Sequence, residues 1–128
     1  MKKLLIFLLL LCIPIGVAFA QSTQAQKKIH MAAERISAKI GVDKADKEAF
    51  VSIYKAYKKE MSEVRDIKPA ISGESEEAIE AKIRCDFVKS EIILEIRKKY
   101  YDKFRTILRP SQIQQMYDIE REWASSQK

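Results

Sequence analysis

The chain has 128 residues, of which 24 are lysine or arginine and 18 are aspartate or glutamate, so its formal charge is +6. This length accommodates one domain with a modest core. Only two cysteines are present, Cys12 and Cys85, so the chain lacks the pairs of a disulfide scaffold. The basic excess favours acidic surfaces, unfolded proteins or membrane headgroups as partners, and an ordinary solvated surface explains it equally well.

The first twenty residues have the three parts of a secretory signal peptide. Lys2 and Lys3 form a positive start, residues 4–11 are an unbroken apolar run, and Ala18-Phe19-Ala20 is a small-x-small cleavage site. We therefore predict a signal peptide at 1–20, cleavage after Ala20, and a single mature domain at 21–128 that works in the periplasm. Because the removed segment contains two lysines and no acid, its loss lowers the formal charge from +6 to +4.

A membrane anchor and a lipoprotein signal are the alternatives for this segment. Pro14 and Gly16 interrupt the apolar run well before the roughly 20 residues that span a bilayer, so no stable membrane insertion is expected. A lipoprotein signal would acylate Cys12, but the preceding Leu11 is bulky where a small residue is expected.

Export has two consequences for the mature protein. Nucleic acid is not expected among its partners, because it shares no compartment with the protein. Cys85 is left without an intramolecular disulfide partner, because Cys12 is removed with the signal peptide. We expect Cys85 to be a buried thiol, with an intermolecular bridge or a reactive thiol as alternatives.

Helix-breaking residues divide the mature chain into four segments. Gly41, Pro69, Gly73 and Pro110 fall at three places, and no segment shows the alternation of a half-buried strand. The sequence therefore predicts an all-α fold. The four predicted helices span residues 24–40, 44–67, 75–107 and 111–125. At about 50 Å the third helix is the longest, so we expect an elongated molecule.

Apolar residues at three- and four-residue spacing give each of these helices a stripe that we assign to the core. In the first helix the stripe is Ile29, Ala33, Ile36 and Ile40. In the second it is Phe50, Ile53, Tyr54, Tyr57, Met61 and Val64, and in the fourth it is Ile113, Met116, Tyr117 and Trp123.

Beside the second stripe runs a row of cations with one apolar member, at about 100° per residue. This basic strip consists of Lys47, Val51, Lys55, Lys58 and Arg65. A surface for unfolded clients and a solvated face both fit the pattern, because long basic side chains interleave charge with apolar stems.

The third helix carries two apolar arcs about 130° apart. The first arc is Ile79, Ile83, Phe87, Leu94, Tyr101, Phe104 and Leu108, and the second is Ala78, Cys85, Ile92, Ile96, Tyr100 and Ile107. Three companion helices in a thin layer cover one arc and leave the second for a partner subunit, which predicts a homodimer. The alternative is a monomer whose other helices wrap both arcs.

Residues that carry catalysis or hold metals are sparse. His30 is the only histidine, so no Ser-His-Asp or Cys-His arrangement is indicated. With Glu34 it offers two metal ligands, where transition metals usually need three or four. Carboxylate pairs such as Glu76-Glu77 lie in charge-dense stretches typical of a solvated face, and the isolated glycines form no phosphate loop. We expect no enzyme activity, no cofactor and no metal site.

The starts of the second and fourth helices carry a related motif. Leu108-Arg109-Pro110-Ser111-Gln112 resembles the Leu-Thr-x-x-Gln motif of the Spy/CpxP family of small periplasmic proteins, and Val42-Asp43-Lys44-Ala45-Asp46 resembles a degenerate first copy. The motif acts as a capping box, in which the Thr and Gln side chains satisfy amides of the first turn. In the first copy Asp43 still caps, whereas Asp46 cannot donate back as Gln does. In the second copy Arg109 cannot cap, and Ser111 with Gln114 is the candidate box two residues later.

This resemblance covers almost the whole mature chain, because the signal peptide, the length, the four helices and the long third helix also agree with the family. It implies a cradle-shaped antiparallel dimer and one of three roles: an ATP-independent chaperone, an inhibitor of stress signalling, or a metal-responsive protein. A chaperone for unfolded proteins in envelope stress fits the basic strip, because release without ATP requires a weak and wide surface. A regulator that docks one envelope-stress sensor through a narrow hot spot is the alternative, as is a metal-responsive relative.

Overall fold

The computed structural model describes the backbone of residues 15–126 and the side chains of residues 23–126. Four α-helices make up this part of the chain: α1 at Ile15–Ile40, α2 at Lys47–Arg65, α3 at Glu76–Phe104 and α4 at Pro110–Ser126. A short 3₁₀ turn at Lys44–Asp46 precedes α2. The predicted all-α class and the long third helix are confirmed. Residues 1–14 of the predicted signal peptide lie outside the described residues. At its predicted cleavage site only the backbone is described.

α1 ends at a glycine that the sequence marks as a helix breaker. Gly41 has a φ of +73°, and the Val42 N–H donates to the Ser37 carbonyl over 2.9 Å. This bond is the Schellman arrangement, which closes a helix when the next residue takes the left-handed conformation. The turn brings α2 back along α1, and the two helices pack against each other.

The start of α2 differs from the predicted capping by Asp43. Asp43 precedes the 3₁₀ turn and Asp46 precedes α2, and neither side chain bonds an amide of the turn that follows. Instead, the backbone carbonyl of Asp43 accepts from the Asp46 N–H at 2.9 Å. The main chain of a tight 3₁₀ turn therefore replaces the side-chain cap expected from the sequence.

α3 begins with a side-chain cap and is the longest helix of the described residues. The Ser75 Oγ accepts from the Ala78 N–H at 3.2 Å, and Glu76 and Glu77 in the first turn complement the helix dipole. The 29 residues of the helix extend over about 43 Å. α3 ends at Phe104, where the Leu108 N–H donates to the Phe104 carbonyl.

The core lies where the ends of α1 and α3 meet the starts of α2 and α4. α2 lies between α1 and α3, and α4 packs against α1. The ring centroid of Phe50 lies 5.7 Å from that of Phe104, and the centroid of Tyr57 lies 5.5 Å from that of Tyr100. Aliphatic side chains complete this core: Ala33, Ile36, Ile40, Leu108, Ile113 and Met116. The predicted stripes of α1, α2 and α4 are confirmed, with Ile29, Ile53, Met61, Tyr117 and Trp123 at their half-buried edges.

α3 packs against the other helices along its second arc and, at its end, through Phe104 of its first arc. On the second arc Ile96 and Tyr100 are buried and Cys85 is half-buried. The first arc remains exposed along most of its length, and only its last two members, Phe104 and Leu108, are buried. The structure therefore leaves the first arc uncovered, whereas the sequence analysis reserved the second for a partner.

The first half of α3 lies outside the core. The core cluster takes its α3 members from Ile92 onwards, and Ala78 is buried without belonging to that cluster. α2 has 19 residues against 29 in α3, so it is too short to cover the whole of its neighbour. We call residues 76–91 the projecting half of α3.

Candidate binding surfaces

A row of exposed apolar side chains runs along α3 and defines the first candidate surface. We call this the α3 row; it consists of Ile79, Ile83, Phe87, Leu94 and Tyr101, which are 38 to 64 % exposed. At 1.5 Å per residue the row extends over about 33 Å. Several large apolar side chains exposed on one helix face are a candidate interaction surface.

The charges beside the α3 row differ between its two ends. Beside the row, the start of α3 carries the acidic Glu76 and Glu80, whereas its second half carries Arg97 and Lys98. A second helix with the same sequence therefore meets opposite charge at both ends when it runs antiparallel, and like charge when it runs parallel.

The first part of the predicted basic strip lies in a cleft between α1 and α2. Lys47, Val51 and Lys55 line this cleft together with Glu34 and Glu48. Lys47 Nζ is 3.9 Å from Glu34 Oε1, and Val51 is only 8 % exposed because it belongs to the core. Two cations face two carboxylates here, so the cleft has a balanced charge.

The second part of the strip lies in a different cleft, where α2 meets α4. Lys58 and Arg65 line it together with Glu120. Glu120 Oε2 accepts from Lys58 Nζ at 2.9 Å and from the Tyr54 hydroxyl at 3.1 Å. Burial, and then the Glu120 carboxylate, raises the pKa of Tyr54. The same two causes raise the pKa of Tyr57 to about 12, although Arg97 opposes them.

Trp123 of α4 lines this second cleft and also a further one. The further cleft is lined by Lys28, Met31, Arg35 and Trp123, and Lys39 Nζ lies 5.9 Å from the Trp123 ring centroid. The spacing in α4 predicts Trp123 as a core residue of that helix and does not indicate these neighbours. A signal was present, because Lys28, Arg35 and Lys39 share one face of α1 at about 100° per residue.

The second copy of the motif ties α4 to α1 through Gln112. Gln112 Oε1 accepts from the Arg109 N–H at 2.9 Å, which is the back-bond of a capping box. Its Nε2 donates to the carbonyls of Ile40 and Gly41 at 3.1 and 3.2 Å. The predicted box of Ser111 with Gln114 does not form: Ser111 lies inside α4, which begins at Pro110, and Gln114 Nε2 donates to Asp118.

A second polar link joins α2 to α3. The carboxylate of Glu60 accepts from Lys99 Nζ at 2.9 Å and from the Tyr100 hydroxyl. These bonds, the one from Tyr100 first, lower the pKa of Glu60. Burial, followed by the bond to Glu60, raises the pKa of Tyr100 to about 12.

The described residues were also compared with the requirements of a metal site and of a membrane span. His30 Nε2 lies 3.4 Å from Glu34 Oε1 in an exposed pair. Within the described part of the chain, no three His, Cys, Asp or Glu side chains lie close enough together to hold a metal ion. No helix in that part combines the length and the hydropathy needed to cross a bilayer.

Comparison of the chain with protein-family models, curated proteins and solved structures gives no match. Membership of the Spy/CpxP family therefore stays a prediction from the motif and the helix pattern.

Proposed function

We propose that the protein is an ATP-independent chaperone of the periplasm that works as a homodimer and binds unfolded proteins. The observation that carries client binding is the basic strip, whose cations line clefts between the helices. The exposed α3 row supplies the candidate interface of the dimer. The proposal requires no cofactor and no catalytic residue.

The dimer is the first part of the proposal. Tertiary packing supplies most of the stability of a helix in a protein, so the projecting half of α3 gains from a partner that covers Ile79, Ile83 and Phe87. The opposite charges at the two ends of α3 favour an antiparallel second copy on the α3 row. Two-fold pairing of identical surfaces is the commonest form of oligomer.

Client binding is the second part of the proposal. A dimer through the α3 row leaves the clefts of α1, α2 and α4 accessible, and these include the whole basic strip. Lysine and arginine side chains there combine positive charge with apolar stems, which suits weak contact with many unfolded chains. We expect modest affinity that falls with ionic strength, because salt screens the charges that steer the encounter.

The oligomeric state is tested by light scattering. The wild-type protein is expected to be a dimer at tens of micromolar, and the double variant Phe87→Glu/Leu94→Glu a monomer that still unfolds cooperatively as followed by circular dichroism. Val88→Glu is the matched control, because Val88 is 48 % exposed on the same helix but lies about 100° away from Phe87. A monomeric wild type, or a double variant that still dimerises, contradicts the dimer.

The chaperone role is tested by the aggregation of several unrelated unfolded proteins without nucleotide. The wild-type protein is expected to suppress aggregation of most of them, with weaker protection at high salt. If the protein protects none of these unfolded proteins from aggregation and binds a single envelope protein tightly, the chaperone proposal is wrong and a regulator that docks a sensor is favoured.

A further inference from the structure

Trp123 lines two neighbouring clefts, which share Lys28, Ala32 and Trp123. We call the two clefts together the Trp123 groove. Its apolar parts are the Trp123 ring, Ala32, Ile29 and Met31, of which Met31 is 58 % exposed.

The charge of the Trp123 groove is strongly one-sided. Four cations line it, namely Lys28, Arg35, Lys58 and Arg65, against the single carboxylate of Glu120. Glu120 is already neutralised by Lys58, whose Nζ lies 2.9 Å from Glu120 Oε2. Lys28, Arg35 and Arg65 form no ion pair with any described residue.

The neighbouring cleft of Lys47 and Lys55 lacks this excess of positive charge. There, two lysines face Glu34 and Glu48, and Lys47 lies within 3.9 Å of the Glu34 carboxylate. The two clefts on either side of α1 therefore differ in charge, although both contain part of the basic strip.

We propose that the Trp123 groove binds acidic segments of extended polypeptide that also carry apolar side chains. The carboxylates of such a segment pair with Lys28, Arg35 and Arg65, and its apolar side chains cover the Trp123 ring and Met31. Tryptophan and arginine are the residue types that most often dominate binding energy in interfaces. A concave groove suits a chain segment better than the flat surface of a membrane. This inference rests on the proposed function and names the class of client segment.

The chain contains a single tryptophan, so its fluorescence reports directly on the groove. The probes are a short peptide of glutamate, leucine and glycine and its counterpart in which lysine replaces each glutamate. We expect the acidic peptide to shift the Trp123 emission in a saturable, salt-sensitive manner, and the basic peptide to leave it unchanged. Equal responses to the two peptides would overturn the inference, as would a response to anionic lipid vesicles without one to the acidic peptide.

Charge reversal then locates the contact. The variant Lys28→Glu/Arg35→Glu is expected to weaken binding of the acidic peptide by about tenfold or more. The matched control Lys44→Glu/Lys59→Glu changes the net charge equally at two exposed lysines outside both the basic strip and the Trp123 groove, so its affinity is expected to stay within about twofold of wild type. Circular dichroism confirms that both variants fold. An equal loss in the two variants refutes a specific groove.

The two proposals fail in different ways. Suppression of aggregation without any Trp123 response to the acidic peptide leaves the chaperone proposal intact and overturns the groove. A Trp123 response without suppression supports the groove and contradicts the chaperone, which favours a regulator with one acidic docking partner.

Discussion

Replacement of Gln112 by alanine is expected to loosen the junction between α1 and α4. Gln112 is 8 % exposed and makes three hydrogen bonds: two to the carbonyls at the end of α1 and one to the Arg109 N–H. The truncated side chain leaves the Arg109 N–H and the Ile40 carbonyl without these partners. Because the bond to Ile40 is buried, water replaces it poorly.

The magnitude follows from the number and the burial of these bonds. Each hydrogen bond contributes about 1 kcal/mol net, and an unsatisfied buried group adds to the loss. We expect Gln112→Ala to lower the free energy of unfolding by about 2 to 3 kcal/mol, which corresponds to a fall in melting temperature of about 10 to 20 °C. Urea unfolding followed by circular dichroism measures the change.

Gln114→Ala is the matched control for this measurement. Gln114 lies on the same helix two residues away, is exposed, and makes one bond to Asp118 within the helix. Its removal is expected to change the free energy of unfolding by less than about 0.5 kcal/mol. If Gln112→Ala is no more destabilising than Gln114→Ala, the tie between α1 and α4 does not contribute to stability and the argument is refuted.

Three further predictions concern acid stability, helix termination and the free thiol. Since its partners lower the pKa of Glu60, the stability that the Glu60 carboxylate contributes is fully present above the ordinary value of 4.5 and is lost as the pH falls below it. In the Glu60→Gln variant the free energy of unfolding should therefore decrease less steeply as the pH is lowered through this range. A slope equal to that of wild type would contradict this prediction. Gly41→Ala is expected to lower the free energy of unfolding, measured in urea, by about 1 kcal/mol, because a residue with a Cβ is strained at a φ of +73° even though that Cβ would meet nothing within 4 Å. A variant as stable as wild type would show that the turn relaxes without cost. Cys85→Ser should leave the mass in light scattering unchanged, because Cys85 lies away from the α3 row; a monomer would reveal an intermolecular disulfide.

The helices were predictable because their signals are local. Gly41 ends α1 by its own backbone conformation, and the stripes of α1 and α2 follow from spacing alone. The capping at Asp43 was predicted wrongly, because a 3₁₀ turn of the main chain competes with the side chain for the same amide. The role of Gln112 was not predictable locally, since its acceptor at Ile40 lies 72 residues away.

The candidate surfaces were predictable only in part. Both arcs of α3 are apolar, so periodicity cannot decide which of them packs against α2. The spacing of lysines and arginines on α2 predicts the basic strip. Its distribution over two clefts depends on residues of other helices, because Glu34 of α1 lies beside Lys47 and Glu120 of α4 lies beside Lys58. The Trp123 groove required α1 and α4 to be brought together, which no single helix pattern reveals.

The projecting half of α3 has a consequence for the dynamics of the isolated subunit. Residues 76–91 are the part of α3 that contributes no side chain to the core cluster, so their amide protons are expected to exchange with solvent through local opening at a lower free energy than those of residues 92–104. Occupation of the α3 row by a second copy opposes that opening and slows the exchange. Protection in the projecting half should therefore rise with protein concentration, while protection around Tyr100 and Phe104 stays constant, so that one helix reports both the folding of the subunit and its association.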